Sequence, residues 1–330
     1  MPNWNSILFI YNPNAGRGQI RESLHDVISA FTMAGCRVTV YPTQAPGAAY
    51  RYVCNLAAED APRYDLLVAA GGDGTLHDVV AASMTLPAEK KAPIAYLPAG
   101  STNDFAVSHT IPKAVDEAAH LALSGIPVPF DIGKFGDGYF SYIAAFGVFT
   151  DVSYDTPQDQ KNRLGHFAYI LEGARRLSSY KPYPLKVEIE AFENGQAVHE
   201  VIEGSFLLGA VMNTTSVGGF AVPQKDINLN DGLSELVLLR AVETASDLVP
   251  LLTALSAQKL DGVDGIVYRK VKKATFTFED PVPWTLDGEY GGIYKEITTD
   301  TVHAGLEFLV PADWGKTKLD DALEEFKNEA

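Results

Sequence analysis

The first 130 residues repeat one unit: a short apolar run, a polar loop, then a stretch with helical spacing. ILFIY (7–11) leads into NPNAGRG, after which Ile20, Leu24, Val27, Ile28 and Phe31 fall on one helix face. RVTVYP (37–42) is the next strand, and 47–59 is helical. DLLVAA (65–70) runs into GGDGT and the helical LHDVVAASM; PIAYLP (93–98) runs into AGSTNDF and a helical stretch over 112–124. Continuously apolar strands joined by helices belong to a parallel sheet covered on both faces. The pattern therefore predicts an α/β, doubly wound parallel-sheet domain. It also brings three polar loops to the strand ends where open α/β sheets bind ligands.

Near residue 130 the pattern changes. FDIGKFGDGYFSYIAAFG (130–147) reads as a hairpin. Leu164, Phe167, Ala168, Leu171, Ala174 and Leu177 hold helical spacing. Short strand candidates follow over 185–192, 204–213, 234–240, 274–278 and 301–310, with an Asn194-Gly195 turn and a helical segment near 244–259. Hairpin-linked short strands predict an antiparallel, sandwich-like or barrel-like β domain. The expected division is 1–130 as a nucleotide-binding domain and 131–310 as an acceptor-binding β domain, with the active site in the cleft between them. The charged stretch 311–330 is expected to be a helix that could pack back on the first domain.

Composition narrows the partners. The formal net charge of −16 argues against nucleic acid, which needs a basic face. No run reaches the roughly 18 apolar residues of a membrane span, and the N-terminus lacks the basic and apolar regions of a signal peptide. Two cysteines, Cys36 and Cys54, make neither a disulfide framework nor a zinc site. The expected setting is cytoplasmic, with membrane contact limited to the periphery of the inner face.

The loop GGDGT poses the chemical question. Gly71, Gly72 and Gly74 let backbone N–H groups approach an anion at a helix start, with Thr75 as the N-cap candidate. Asp73 contradicts a bare phosphate site, since a carboxylate about 4 Å from a phosphate oxygen is repelled by about 4 kcal/mol at an effective dielectric near 20. An intervening Mg²⁺ resolves the conflict; an Asx-type turn in a structural loop is the alternative. In NPNAGRG, Asn12 and Asn14 can cap, Gly16 opens the backbone and Arg17 adds a positive donor, but the Lys-Ser/Thr ending of a Walker A loop is missing. In PAGSTNDFA, Gly100, Ser101 and Thr102 offer donors and Asn103 can read a polar edge, while Asp104 could instead cap a helix.

Taken together, NPNAGRG, GGDGT and PAGSTNDFA, in this order and at these separations, resemble the diacylglycerol kinase catalytic-domain family. GGDGT alone is shared with NAD kinases; the Asn-Asp-Phe motif favours lipid kinases. The resemblance continues through Asp131-Ile-Gly, Asn213 with Gly218-Gly219, Asp231-Gly-Leu and Asp287-Gly-Glu, and covers roughly residues 5–310. It implies ATP and Mg²⁺ as cofactors and a lipid acceptor at a membrane surface. Asn12 and its loop would line the nucleotide side. Gly71–Thr75 would hold the phosphates, with Asp73 reaching the magnesium. Thr102 and Asn103 would complete that pocket, and Asp131 would extend the magnesium–water network toward the acceptor. Asp287 would be the base with Glu289 beside it, in a turn expected to be mobile and exposed; Asp-Gly is also a type I′ hairpin signal. Asp231, with backbone oxygens of Asn228 and Leu233, matches a structural magnesium site.

Some residues depart from the family pattern. His77 and Asp78 stand where Asn-Glu is common, and His77 reads as a solvent-facing residue of the first helical turn. Ser101 replaces a common Thr. The expected activity is transfer of the γ-phosphoryl of ATP to a lipid hydroxyl. The alternatives are a kinase for a soluble acceptor, as in NAD kinases, and a nucleotide-binding regulatory protein without transfer. The protein partner expected is a second copy of the chain, in a homodimer.

Overall fold

The computed structural model describes residues 4–147, 182–193, 196–222, 227–241 and 260–315. The chain divides into two compact units: residues up to Phe130 with those from Ala304 onward, and Asp131–His303.

The first unit carries β1 (Ser6–Tyr11), α1 (Gln19–Met33), β2 (Arg37–Pro42), α2 (Ala48–Cys54), β3 (Leu66–Gly71), α3 (Asp73–Thr85), β4 (Ile94–Pro98), α4 (Asp104–Ser108) and α5 (Val115–Ser124). The strands pair in the order β2-β1-β3-β4, all parallel. The apolar runs that predicted this sheet fill its centre: Ile7–Ile10 and Leu66–Ala70 are buried throughout. α1 packs on α5, and α2 on α3. The step from β1 to β2 runs one way along the sheet and the steps to β3 and β4 run the other, so right-handed crossovers put α1 on one face and α2 and α3 on the opposite face. The order reverses between β1 and β3, and the loops leaving those strands open the crevice used for ligands in such sheets.

The C-terminal strand joins β4 in parallel, with Phe308 opposite Ile94. Its Phe308 ring lies 4.7 Å from Phe105 and 6.1 Å from Phe130, and His109 stacks on Phe105 at 3.8 Å. This return begins at Ala304, before the boundary expected at 310. Ala304 takes a left-handed φ of 50° there.

The second unit is built from β5 (Ile126–Phe135), which starts in the first unit, β6 (Gly138–Phe140), β7 (Ile143–Gly147), β8 (Tyr183–Glu193), β9 (Gln196–Met212), the short ladder of β10 (Ser216–Val217) and β11 (Phe220–Ala221), β12 (Ser234–Arg240), β13 (Ile266–Leu286) and β14 (Glu289–Val310), the strand that returns to the first unit. Its described pairings are antiparallel. The first part of β9 pairs with β8, and its second part lies between β12 and β7. β13 pairs in turn with β12, with β8 and β14, and with β7. Two long strands thus serve both sides of the sandwich, a way of turning its corners.

Trp284 is fully buried at the centre of this core, with ring centroids 4.8 Å from Phe146 and 5.0 Å from Phe135 and Phe276. The helix candidates over 164–177 and near 244–259, the Asn194-Gly195 turn and the stretch 316–330 lie outside the described residues. No described helix is long and apolar enough to cross a membrane.

The Trp284 indole N–H is buried and meets no hydrogen-bond acceptor among the described residues. Trp284→Ala should lower stability by about 3–5 kcal/mol, the range for deleting a large core aromatic. Trp284→Phe should cost clearly less, because it leaves a smaller cavity and removes the orphaned donor. Urea unfolding of the two variants beside the wild-type chain checks the order.

Candidate functional site

Three loops meet at the C-terminal edge of the parallel sheet, and glycine is what lets them meet. A Cβ on Gly16 would lie 2.5 Å from the Ala99 carbonyl oxygen; one on Gly100 would lie 2.7 Å from the Cα of Gly72. Gly16 also holds φ at 57°, a conformation that L side chains rarely adopt.

The first loop leaves β1 at Asn12, whose N–H donates to Ala70 and whose Oδ1 accepts the Asn14 N–H at 2.9 Å. That Asx turn feeds a 3-10 turn, Ala15–Gly18, which contains Gly16 and Arg17. Asn14 is exposed and its side chain caps nothing.

The second loop is shorter than expected. α3 begins at Asp73 with Gly72 as its N-cap, and no side chain caps it. Thr75 is therefore not the cap: it is buried in the first turn, and its N–H bonds the Gly72 carbonyl at 3.0 Å. An extended Gly72 starts the helix without a side-chain oxygen, so the helix N-terminus keeps its attraction for an anion. His77 is half-buried rather than solvent-facing.

Asp73 reaches into the third loop. Its Oδ2 accepts the Asn103 N–H at 3.0 Å and the Thr102 hydroxyl at 3.2 Å. Asn103 sits at a left-handed φ of 56° and is itself the N-cap position of α4. Its amide does not face outward as a reader of a polar edge. Oδ1 accepts the Gly100 N–H at 2.8 Å and Nδ2 donates to the Gly100 carbonyl at 3.0 Å, closing the loop on itself. Asp104 is buried as the first residue of α4, so the cap falls one residue before it. Ser101 is exposed at the loop's tip.

Sequence reasoning missed Tyr96, on β4 beneath these loops. Its hydroxyl lies 3.2 Å from the Gly71 carbonyl and 3.2 Å from Asn103 Oδ1. Burial first, then the Asp73 carboxylate, hold its phenol well above the ordinary tyrosine pKa, so it stays a neutral donor.

In the second unit, Asp131 is buried and doubly bound: Oδ1 accepts from His303 Nδ1 at 2.8 Å and Oδ2 accepts the Gly232 N–H at 2.6 Å. Asn213 Nδ2 donates to the carbonyls of Asp131 and Leu229, and its N–H donates to Tyr142. The Asp231 carboxylate accepts the Leu233 N–H at 3.1 Å, with Lys270 Nζ 3.5 Å from its other oxygen. Asn228 Oδ1 accepts from Asn230 N. Among the described residues no three His, Cys, Asp or Glu side chains cluster as metal ligands.

Asp287 differs most from expectation. Asp287 and Gly288 both hold positive φ, 52° and 85°, between paired Leu286 and Glu289, the type I′ hairpin that Asp-Gly signals. The turn is not exposed at Asp287, which keeps only 2% of its surface. Its Oδ2 accepts the Ser141 N–H and hydroxyl at 2.7 and 2.9 Å, and its Oδ1 accepts the N–H groups of Tyr142 and Ile143 at 2.9 and 3.1 Å. The carboxylate thus takes up the N–H groups of Ser141 and Tyr142, in the link between β6 and β7, and of Ile143 at the start of β7. Glu289, next along the hairpin, is exposed.

Residues 6–135 match the family model of the diacylglycerol kinase catalytic domain. A protein named diacylglycerol kinase from Bacillus subtilis (strain 168) is 33% identical over 285 residues, 86% of this chain and 89% of that protein. One of the same name from Staphylococcus aureus (strain MRSA252) is 33% identical over 86% of this chain and 85% of its own length. The crystal structure of a diacylglycerol kinase from Bacillus anthracis str. Sterne shares the fold, with a TM-score of 0.70 at 19% identity over 95% of this chain and all of that one.

Asp287→Asn would turn an NH₂ group toward backbone donors that now meet oxygen. Each buried group left unsatisfied costs about 1–3 kcal/mol, so the variant should unfold at clearly lower denaturant while Glu289→Gln stays close to wild type. Chemical denaturation of the two proteins checks the contrast.

Proposed function

The chain belongs to the diacylglycerol kinase family and is a kinase, and from that premise we propose that it transfers the γ-phosphoryl of Mg-ATP to a lipid hydroxyl, with diacylglycerol as acceptor and phosphatidic acid as product. The observation that carries this reading is the meeting of three glycine loops at the reversal point of a parallel sheet, with one carboxylate, Asp73, tied across two of them. Bare backbone at Gly16 and Gly100 lets the three loops close on one another, since a Cβ there would lie 2.5 Å from the Ala99 oxygen or 2.7 Å from the Gly72 Cα. Phosphoryl transfer asks a protein mainly for positioning and charge stabilisation, for which loops held this closely are suited.

Asp73 and Thr102 offer oxygen donors, the type a hard cation takes, and bound Mg²⁺ would neutralise phosphate charge there. The backbone N–H groups at the start of α3 would face the phosphates. On the acceptor side, Asp287 is the proposed base and Glu289 its exposed neighbour. Among the described donors on Asp287, the Ser141, Tyr142 and Ile143 N–H groups are backbone and cannot leave, whereas the Ser141 hydroxyl can rotate away. That hydroxyl marks the place at Oδ2 where an acceptor hydroxyl would bond, to lose its proton late in a loose transition state. Asp131, held by His303 and Gly232, would order the acceptor side by position.

Labelled Mg-ATP offered to short-chain diacylglycerol in mixed micelles should yield labelled phosphatidic acid, and EDTA should abolish it. NAD and a sphingoid base are the control acceptors. Label in NADP would replace the lipid reading with a soluble acceptor. ATP binding with no transfer to any of the three would favour a binding protein. Asp287→Asn, assayed well below its unfolding midpoint, should lose about 10²–10⁴ in kcat with nucleotide affinity retained, whereas Ser141→Ala should stay within about threefold.

A further inference from the structure

Every residue of β4 is buried, yet position 96 carries a phenol where an aliphatic side chain would satisfy packing. A buried hydroxyl is tolerated where it finds partners, and Tyr96 finds them on two different loops. Gly71 O, which ends β3, also accepts the Ala99 N–H at 2.7 Å. Asn103 Oδ1 also accepts the Gly100 N–H at 2.8 Å. The phenol lies 3.2 Å from each of these acceptor oxygens and shares its single proton between them, with the Asp73 carboxylate also in reach, so it is the third corner of that junction. Its ring meets Phe105 of α4 edge-on at 6.2 Å, which fixes where the hydroxyl points.

We propose that Tyr96 is a positioning residue for the nucleotide phosphates: its hydroxyl ties the end of β3 to the amide that closes the 98–104 loop and so sets the spacing of the two glycine loops. The proposal rests on the phosphoryl-transfer reading above. Without the hydroxyl, Asn103 keeps its bonds to Gly100 but loses its link to β3. The Asn103 N–H and Thr102 hydroxyl that hold Asp73 then sit on a looser loop. Because the phenol touches loops and not the acceptor side of the chemistry, its loss should fall on nucleotide binding rather than on turnover. Burial and the neighbouring Asp73 keep it protonated, so it donates throughout the working pH range.

The test uses the full chain and Mg-ATP. Tyr96→Phe should raise KM for Mg-ATP about tenfold, leave kcat within about twofold and leave the acceptor KM unchanged. Its ligand-free unfolding midpoint should stay within about 2 °C of wild type. 4-Aminophenylalanine at position 96, which restores an N–H donor, should bring KM back. An unchanged nucleotide KM, or kcat falling together with the unfolding midpoint, would overturn the proposal while leaving the kinase reading intact. If the wild-type chain neither binds nor uses Mg-ATP, both readings fall. Should Tyr96→Phe fail to fold, the aminophenylalanine protein decides: a wild-type KM supports the hydroxyl's role and a raised one overturns it.

Discussion

The first unit depends on how closely two bare backbones approach. A Cβ on Gly100 would lie 2.7 Å from the Cα of Gly72, and the loops these two glycines belong to end adjacent parallel strands. Strand ends in one sheet are already near neighbours; glycine removes the last obstacle to contact. Once the backbones touch, Asp73 can reach the Asn103 N–H and the Thr102 hydroxyl, and Tyr96 can reach both loops from below. The polar groups left at the surface of this junction are then held by the sheet rather than by the loops' own stiffness. Sites built on rigid elements hold their geometry better than sites on free loops.

Most of this unit was legible because its strands are buried on both faces and read as unbroken apolar runs. Sheet order followed from connection rules rather than from any single residue. The second unit was less legible in its lengths. The sequence suggested a five-residue strand at ATFTF and a ten-residue strand at 301–310; the structure has Ile266–Leu286 and Glu289–Val310. Lys270, Lys272 and Glu279 on β13, and Lys295 and Glu296 on β14, interrupt the apolar signal without interrupting the strand. Strands this long also exceed the usual length by several-fold, so expectation worked against them.

The site was legible in its acids and glycines and illegible in their partners. Asp-Gly at 287–288 announced a type I′ turn, and a turn it is. Nothing local announced that the carboxylate points inward, because its donors lie 144–146 residues earlier in the chain. His303 reaches Asp131 from 172 residues away, and Tyr96 sits in a strand whose apolar run gave it no distinction. Asn103 was misjudged for a related reason. A left-handed backbone turns its side chain back onto its own loop, and residue type alone does not encode that φ.

Asp73, Asp131 and Asp287 share a design. Each carboxylate accepts hydrogen bonds from a segment remote in sequence, and at Asp131 and Asp287 the bonds form in buried surroundings. Donors fixed around a carboxylate fix its direction before any ligand arrives. The same bonds make each acid a structural tie, so removing one disturbs fold and chemistry together. Lost activity alone therefore cannot distinguish a base from a tie. The distinction lies in the donors. Among the described residues Asp287 meets backbone donors at Ser141, Tyr142 and Ile143, which fix its direction, and the Ser141 hydroxyl, which can rotate. The described donors on Asp131 are the Gly232 N–H, at Oδ2, and a histidine ring that is itself well exposed, at Oδ1. That arrangement suits an acid that holds a neighbour in place more than one that takes a proton from an incoming hydroxyl.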